Sequence, residues 1–180
     1  MNNISASVKF YTLDYKDSRA YLFAALFVIG NILLPQLCHL VPQGGLRWLP
    51  IYFFTLVGAY KYGWRVGLLT AVASPLVNSW LFGMPAFHSL PAILLKSVLL
   101  AGVAGYTASR FRKASLLTLA LVVFTYQALG TLGEFFMALP SHTGLYAAFM
   151  DAVQDFRIGI PGLVMQVIAG YILINKFMRS

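Results

Sequence analysis

Apolar runs of about the length needed to cross a bilayer follow one another through this chain, separated by connectors that are short and basic or rich in proline and glycine. A helix rising 1.5 Å per residue needs roughly 20 residues to cross about 30 Å of hydrocarbon, and most of these runs come close. The chain is 59% hydrophobic and only 10% charged over 180 residues. Inside lipid every backbone donor and acceptor must be satisfied within the protein, which leaves helices and closed barrels. Barrel strands alternate in polarity and these runs do not. The fold class expected is an all-α integral membrane protein, a single domain over residues 1–180.

Six transmembrane helices are expected: Ala20 to Leu37, Trp48 to Tyr60, Trp64 to Phe82, Leu90 to Arg110, Leu116 to Leu139 and Ile158 to Phe177. The second is short. Met1 to Arg19 is polar and lacks the pattern of a cleavable signal peptide, so it reads as a cytoplasmic N-terminal segment. Ten basic residues fall on one set of connectors and ends: Lys9, Lys16, Arg19, Lys61, Arg65, Arg110, Arg112, Lys113, Lys176 and Arg179. The opposite set holds only Arg47 and Arg157, with Asp151 and Asp155 beside them. Positive charge accumulates on the cytoplasmic side, which places both termini there, in a bacterial inner membrane. The same asymmetry accounts for the net charge of +8 without nucleic acid. The outer connectors, Pro35 to Pro50, Gly83 to Pro91 and Pro140 to Arg157, are longer and read as loops, so the working face is expected outside.

Within the apolar runs a few polar side chains stand out. Lys96 lies about 9 Å below the outer end of the fourth span, and Glu134 lies near the outer end of the fifth. An ionisable group inside a span costs several kcal/mol unless it faces a bundle interior or a cavity and has a partner. Asn78 on the third span and Gln127 on the fifth fall in the same outer half, and Gln127 and Glu134 share a helix face. Two readings stand for Lys96: it contacts a ligand, or it pairs with Glu134 or snorkels to the headgroups. Asn78 and Gln127 serve equally well as ligand contacts or as interhelical hydrogen bonds. His88, in an outer loop, and Trp80, near the outer end of the third span, complete the candidate binding set; Trp80 also suits an interfacial belt. Ala20 and Ala24 are spaced so that another helix can approach closely, either from a partner or from the same bundle.

Catalytic signatures are missing. The sequence has no Walker A loop, no Gly-x-Ser-x-Gly and no His-Glu-x-x-His. His39, His88 and His142 are too scattered for a zinc site, and the single cysteine, Cys38, has no companion for a disulfide. No enzyme activity, cofactor or metal is expected.

The stretch from Tyr60-Lys61-Tyr62-Gly63-Trp64-Arg65 through Ser74-Pro75-Leu76 to Phe82-Gly83-Met84-Pro85 resembles the second and third helices and outer loop of the substrate-binding S components of energy-coupling factor (ECF) vitamin transporters. Ile160-Pro161-Gly162-Leu163-Val164-Met165-Gln166, followed by Gly170, is similar to the pattern that opens the last helix of those proteins. The resemblance implies high-affinity capture of a small water-soluble vitamin or precursor from the outer side, with release inside driven by a coupling membrane subunit and two ATPase subunits. It implies that Ala20 and Ala24 face that coupling subunit and that spans four to six line the pocket. A positive Lys96 then favours a carboxylate or phosphate on the ligand, with Glu134 meeting an amine or hydroxyl. A different reading of the same size and hydropathy is a non-catalytic six-span scaffold of a cell-wall or rod-shape complex.

Overall fold

The structure, a computed structural model, describes residues 10–140 and 144–177; Lys9, His142 and Arg179 lie outside them, as do the side chains of Asp151 and Asp155. The described residues form seven α-helices: α1 (Ser18–Cys38), α2 (Gly44–Trp48), α3 (Phe53–Tyr62), α4 (Trp64–Phe82), α5 (Leu90–Phe111), α6 (Leu116–Ala138) and α7 (Leu145–Ile172). A short 3₁₀ turn, Pro50–Tyr52, joins α2 to α3, and α7 ends in a π-helical turn over Leu173–Phe177. Among the described residues, four segments are long and apolar enough to cross a membrane: Ser18–Cys38, Leu90–Phe111, Leu116–Ala138 and Leu145–Lys176. Their outward faces are apolar too, with Leu22, Leu26 and Leu33 exposed on α1 and Leu117, Leu121 and Phe124 on α6. That surface suits lipid and is costly in water.

Helix ends follow local chemistry. Asp17 caps α1 by accepting from the Arg19 amide at 3.0 Å, and the Arg19 guanidinium holds the Asp17 carboxyl below the ordinary carboxylate range. Ser115 and Thr118 form a reciprocal capping box at the start of α6. Gly63, at φ 98°, turns α3 directly into α4, a conformation that favours glycine.

Two expectations from the sequence are corrected. The expected second span, Trp48 to Tyr60, is not one helix: it breaks into α2, the 3₁₀ turn and a ten-residue α3. At about 15 Å, α3 is half the thickness of a hydrocarbon core. The reason it survives is its place at the centre of the bundle, where Thr55, Leu56, Val57, Ala59 and Tyr60 are all fully buried. Broken backbone at that depth is tolerated when protein, and not lipid, surrounds it. The expected outer loop from Pro140 to Arg157 is helical from Leu145 onward, so Pro161-Gly162 lies well inside α7 and does not open it.

A polar cluster fastens this interior. The Asn31 amide donates to Thr55 Oγ1 at 3.1 Å and to Ser74 Oγ at 3.0 Å, while its Oδ1 accepts from the Phe54 amide at 3.0 Å. Phe54 is in the first turn of α3, where amides lack helical partners, so Asn31 supplies the missing acceptor from α1. At the opposite end of α3 the N-terminal segment pairs with the chain, Tyr11 N donating to Lys61 O at 2.9 Å and Leu13 N to Tyr62 O at 3.1 Å. Lys61, counted above as a connector charge, is buried there, with its Nζ 5.5 Å from the Tyr11 ring centroid.

Candidate functional site

Lys96 and Glu134 meet. The Lys96 Nζ lies 2.6 Å from Glu134 Oε1, with the side chains only 6% and 12% exposed. The pairing follows from helix position, since α5 and α6 pack side by side and α6 offers Gly130 at the point of crossing. A Cβ on Gly130 would stand 2.5 Å from Lys96 Cγ, so the absence of a side chain lets the lysine stem lie across α6 toward Glu134. Gly130→Ala is therefore expected to push the stem aside and weaken the pair, at a cost of about 1 kcal/mol that offsets the roughly 1 kcal/mol alanine gains as a helix former. Thermal unfolding in detergent checks it, and a midpoint raised as far as by Gly102→Ala, whose Cβ meets nothing within 4 Å, would refute the positioning role of Gly130.

The ion pair lines a cavity of about 430 Å³ at the end of the bundle where α6 finishes and α5 and α7 begin. Gly45, Leu46 and Leu49 from the α2 segment, Tyr52 from the turn after it, and His88, Ser89 and Ile93 from the α5 side enclose it. Its closing wall is held by α7. A Cβ on Gly162 would stand 2.5 Å from the Trp48 carbonyl carbon and 2.6 Å from its oxygen, so backbone meets backbone there. Below the wall, the Tyr126 hydroxyl donates to Gln166 Oε1 at 2.9 Å, and Gln166 Nε2 reaches the Leu49 carbonyl at 3.5 Å. Leu49 itself adopts a left-handed backbone, φ 46°, and its carbonyl also accepts from the Tyr52 amide at 3.3 Å.

The remaining sequence candidates divide. His88 lines this cavity with Lys96 and Glu134. Asn78 lines a second cavity of about 470 Å³ beside it. Gln127 is buried on α6 but lines neither; its Oε1 finds no hydrogen-bond partner among the described residues. Trp80 is 83% exposed on the outside of α4, so the structure does not bring it to the others. Its position, two residues beyond Asn78 on the same helix, turns it about 200° away. Ala20 and Ala24 are 0% and 6% exposed and belong to the core where α1 packs on α3 and α4, the same-bundle reading of their spacing. Sequence reading missed Asn31, and it singled out Gly130, Gly162 and Gln166 without giving them a positioning role. The pattern of an isolated glycine or amide in an apolar run was visible, but the element it meets was not.

Among the described residues no group of three or more His, Cys, Asp or Glu side chains is placed to hold a metal ion. Comparison of the chain with protein-family models, with characterised proteins and with solved structures finds no match in any of the three.

Proposed function

We propose that the chain is a substrate-capturing membrane protein that takes a small water-soluble molecule, vitamin-like in size, into the Lys96–Glu134 cavity. The observation that carries this reading is a buried ion pair on the wall of an open cavity. A cavity of this size falls within the roughly 300 to 1,000 Å³ of small-molecule sites, which are mostly apolar with a few convergent polar groups. A pair serving only to join two helices has no need of a cavity beside it. The pair also refines the ligand chemistry. A lone anion bound at Lys96 would lie against the Glu134 carboxylate, whereas a group presenting an acceptor to Lys96 and a donor to Glu134 keeps the site neutral.

In this proposal the chain crosses a bacterial inner membrane six times, with the broken α2–α3 segment as one crossing and both termini in the cytoplasm. The cavity then opens outward. Resemblance to ECF S components supports a role as the capturing subunit of an importer, working with a coupling membrane subunit and two ATPases. The coupling surface then lies outside Ala20 and Ala24, which the bundle already covers. The chain does no chemistry of its own here.

Two measurements test this. Mass spectrometry of the gently purified protein should find a small molecule held at near one per chain in the wild type and lost in Lys96→Met. In a Cys38→Ser background, Leu40→Cys should react with a membrane-impermeant maleimide on intact cells and Lys113→Cys should not. A ligand-free wild-type protein would refute capture, and external labelling at Lys113 would refute the orientation.

A further inference from the structure

The two cavities at this end of the bundle share a wall. Gly45, Leu46, Ile51, Ser89 and Ile93 line both the 430 Å³ cavity of the ion pair and the 470 Å³ cavity of Asn78. They are neighbouring chambers under the α2 segment, with Ser89 about 10 Å along α5 from Lys96. Leu46, Ile51 and Ile93 make the shared stretch apolar, and Ser89 caps no amide of α5 despite standing at its N-terminus.

Asn78 gives the second chamber its chemistry. Its Nδ2 donates to the carbonyls of Asn31 at 3.0 Å and Ser74 at 2.9 Å, so both amide hydrogens are committed. Because carbonyl oxygens only accept, these two bonds fix which end of the carboxamide is nitrogen. Oδ1 is left buried with no partner among the described residues, on a residue 1% exposed. An unsatisfied buried acceptor is costly, and a donor brought by a ligand removes that cost.

We propose that the two chambers form one bipartite site for an elongated molecule. Its head carries both a carboxylate and an ammonium, exchanging with the Lys96–Glu134 pair; its middle is aliphatic and lies along Leu46, Ile51 and Ile93; its far end carries an N–H that reaches Asn78 Oδ1. This rests on the reading of the ion-pair cavity as a ligand site and adds the second chamber and the far-end donor to it. A zwitterionic head matches the pair charge for charge, Lys96 taking the carboxylate and Glu134 the ammonium, so no buried charge is left over.

The probes are L-homocitrulline, an α-amino acid whose aliphatic chain ends in a carbamoyl N–H, and L-norleucine, whose chain ends in a methyl group. Calorimetric titration of the wild type is expected to show homocitrulline binding about tenfold tighter than norleucine, the effect of one buried hydrogen bond with a stranded acceptor as the alternative. Asn78→Leu should bring that ratio close to one. Should Asn78→Leu fail to fold, Ser89→Phe, which adds a ring to the wall that the two chambers share, should do the same. The double variant Lys96→Met with Glu134→Gln should weaken both probes together. A ratio that stays near ten in a folded variant overturns the bipartite site and leaves the ion-pair cavity standing. Indifference of both probes to the double variant overturns the ion-pair cavity itself, and a wild type that binds neither probe overturns the zwitterionic ligand class.

Discussion

Lys96→Met alone is expected to destabilise the bundle by about 3 to 5 kcal/mol, and the double change Lys96→Met with Glu134→Gln to recover most of that loss. The single substitution places an apolar side chain of similar length where the lysine was, so packing over Gly130 is kept. What it removes is the cation 2.6 Å from a carboxylate that is only 12% exposed. A buried carboxylate that has lost its cation must take up a proton or draw in water, and both are costly. Glu134→Gln removes that charge and keeps the shape. Thermal unfolding of the three proteins in one detergent decides the matter. Equal stability of Lys96→Met and wild type would mean that Glu134 is well solvated through the cavity, and the proposed exchange of the pair with a zwitterion would lose its energetic basis.

Gly162→Leu should be as damaging to binding as it is to stability. The new side chain is directed at the Trp48 carbonyl, 2.5 to 2.6 Å from its Cβ, and at the Arg47 carbonyl oxygen 2.8 Å away. Backbone cannot swing clear as the end of a side chain can, so α2 must lift from α7. Overpacking of this kind costs about 1 to 3 kcal/mol. Leu46 and Leu49 move with α2, and both line the ion-pair cavity. Binding of the copurifying molecule is expected to fall at least tenfold. Gly102→Ala is the contrasting control: nothing stands within 4 Å of its would-be Cβ, and alanine is the better helix former by roughly 1 kcal/mol. If Gly162→Leu behaves like that control, the contact between α2 and α7 does not shape the cavity.

Much of the architecture was legible in the sequence because a bilayer imposes a simple rule. The runs read from Ala20, Trp64, Leu90 and Leu116 correspond to the helices α1, α4, α5 and α6 within two residues at each end, although α4 is not among the segments long and apolar enough to cross a membrane. Composition and spacing decide such helices one at a time, without reference to neighbours. The two departures have a common cause. Trp48 to Tyr60 is apolar enough to be read as a span, but it sits at the bundle centre, where its backbone is free to break at Leu49 and Pro50. Residues after Gly144 look like loop because Gly144 and the polar Asp151, Gln154, Asp155 and Arg157 suggest it, yet they extend α7, whose start packs beside the cavity through Ala152.

The sequence by itself determined that Lys96 and Glu134 needed a partner, a cavity or the headgroups, because ionisable groups in an apolar run are too costly to face lipid. It also placed them at comparable depth on consecutive helices. Only the tertiary structure decided that they meet, that Gly130 opens the way, that Asn78 faces a neighbouring chamber, and that Trp80 and the alanines of α1 do not join the site. Those outcomes depend on helix rotation and on which faces pack together. An apolar helix in a membrane carries little amphipathic signal to fix its rotation, since lipid and core are equally oily. Rotation is set instead by small residues and buried amides meeting particular partners, and such contacts exist only once the bundle is assembled.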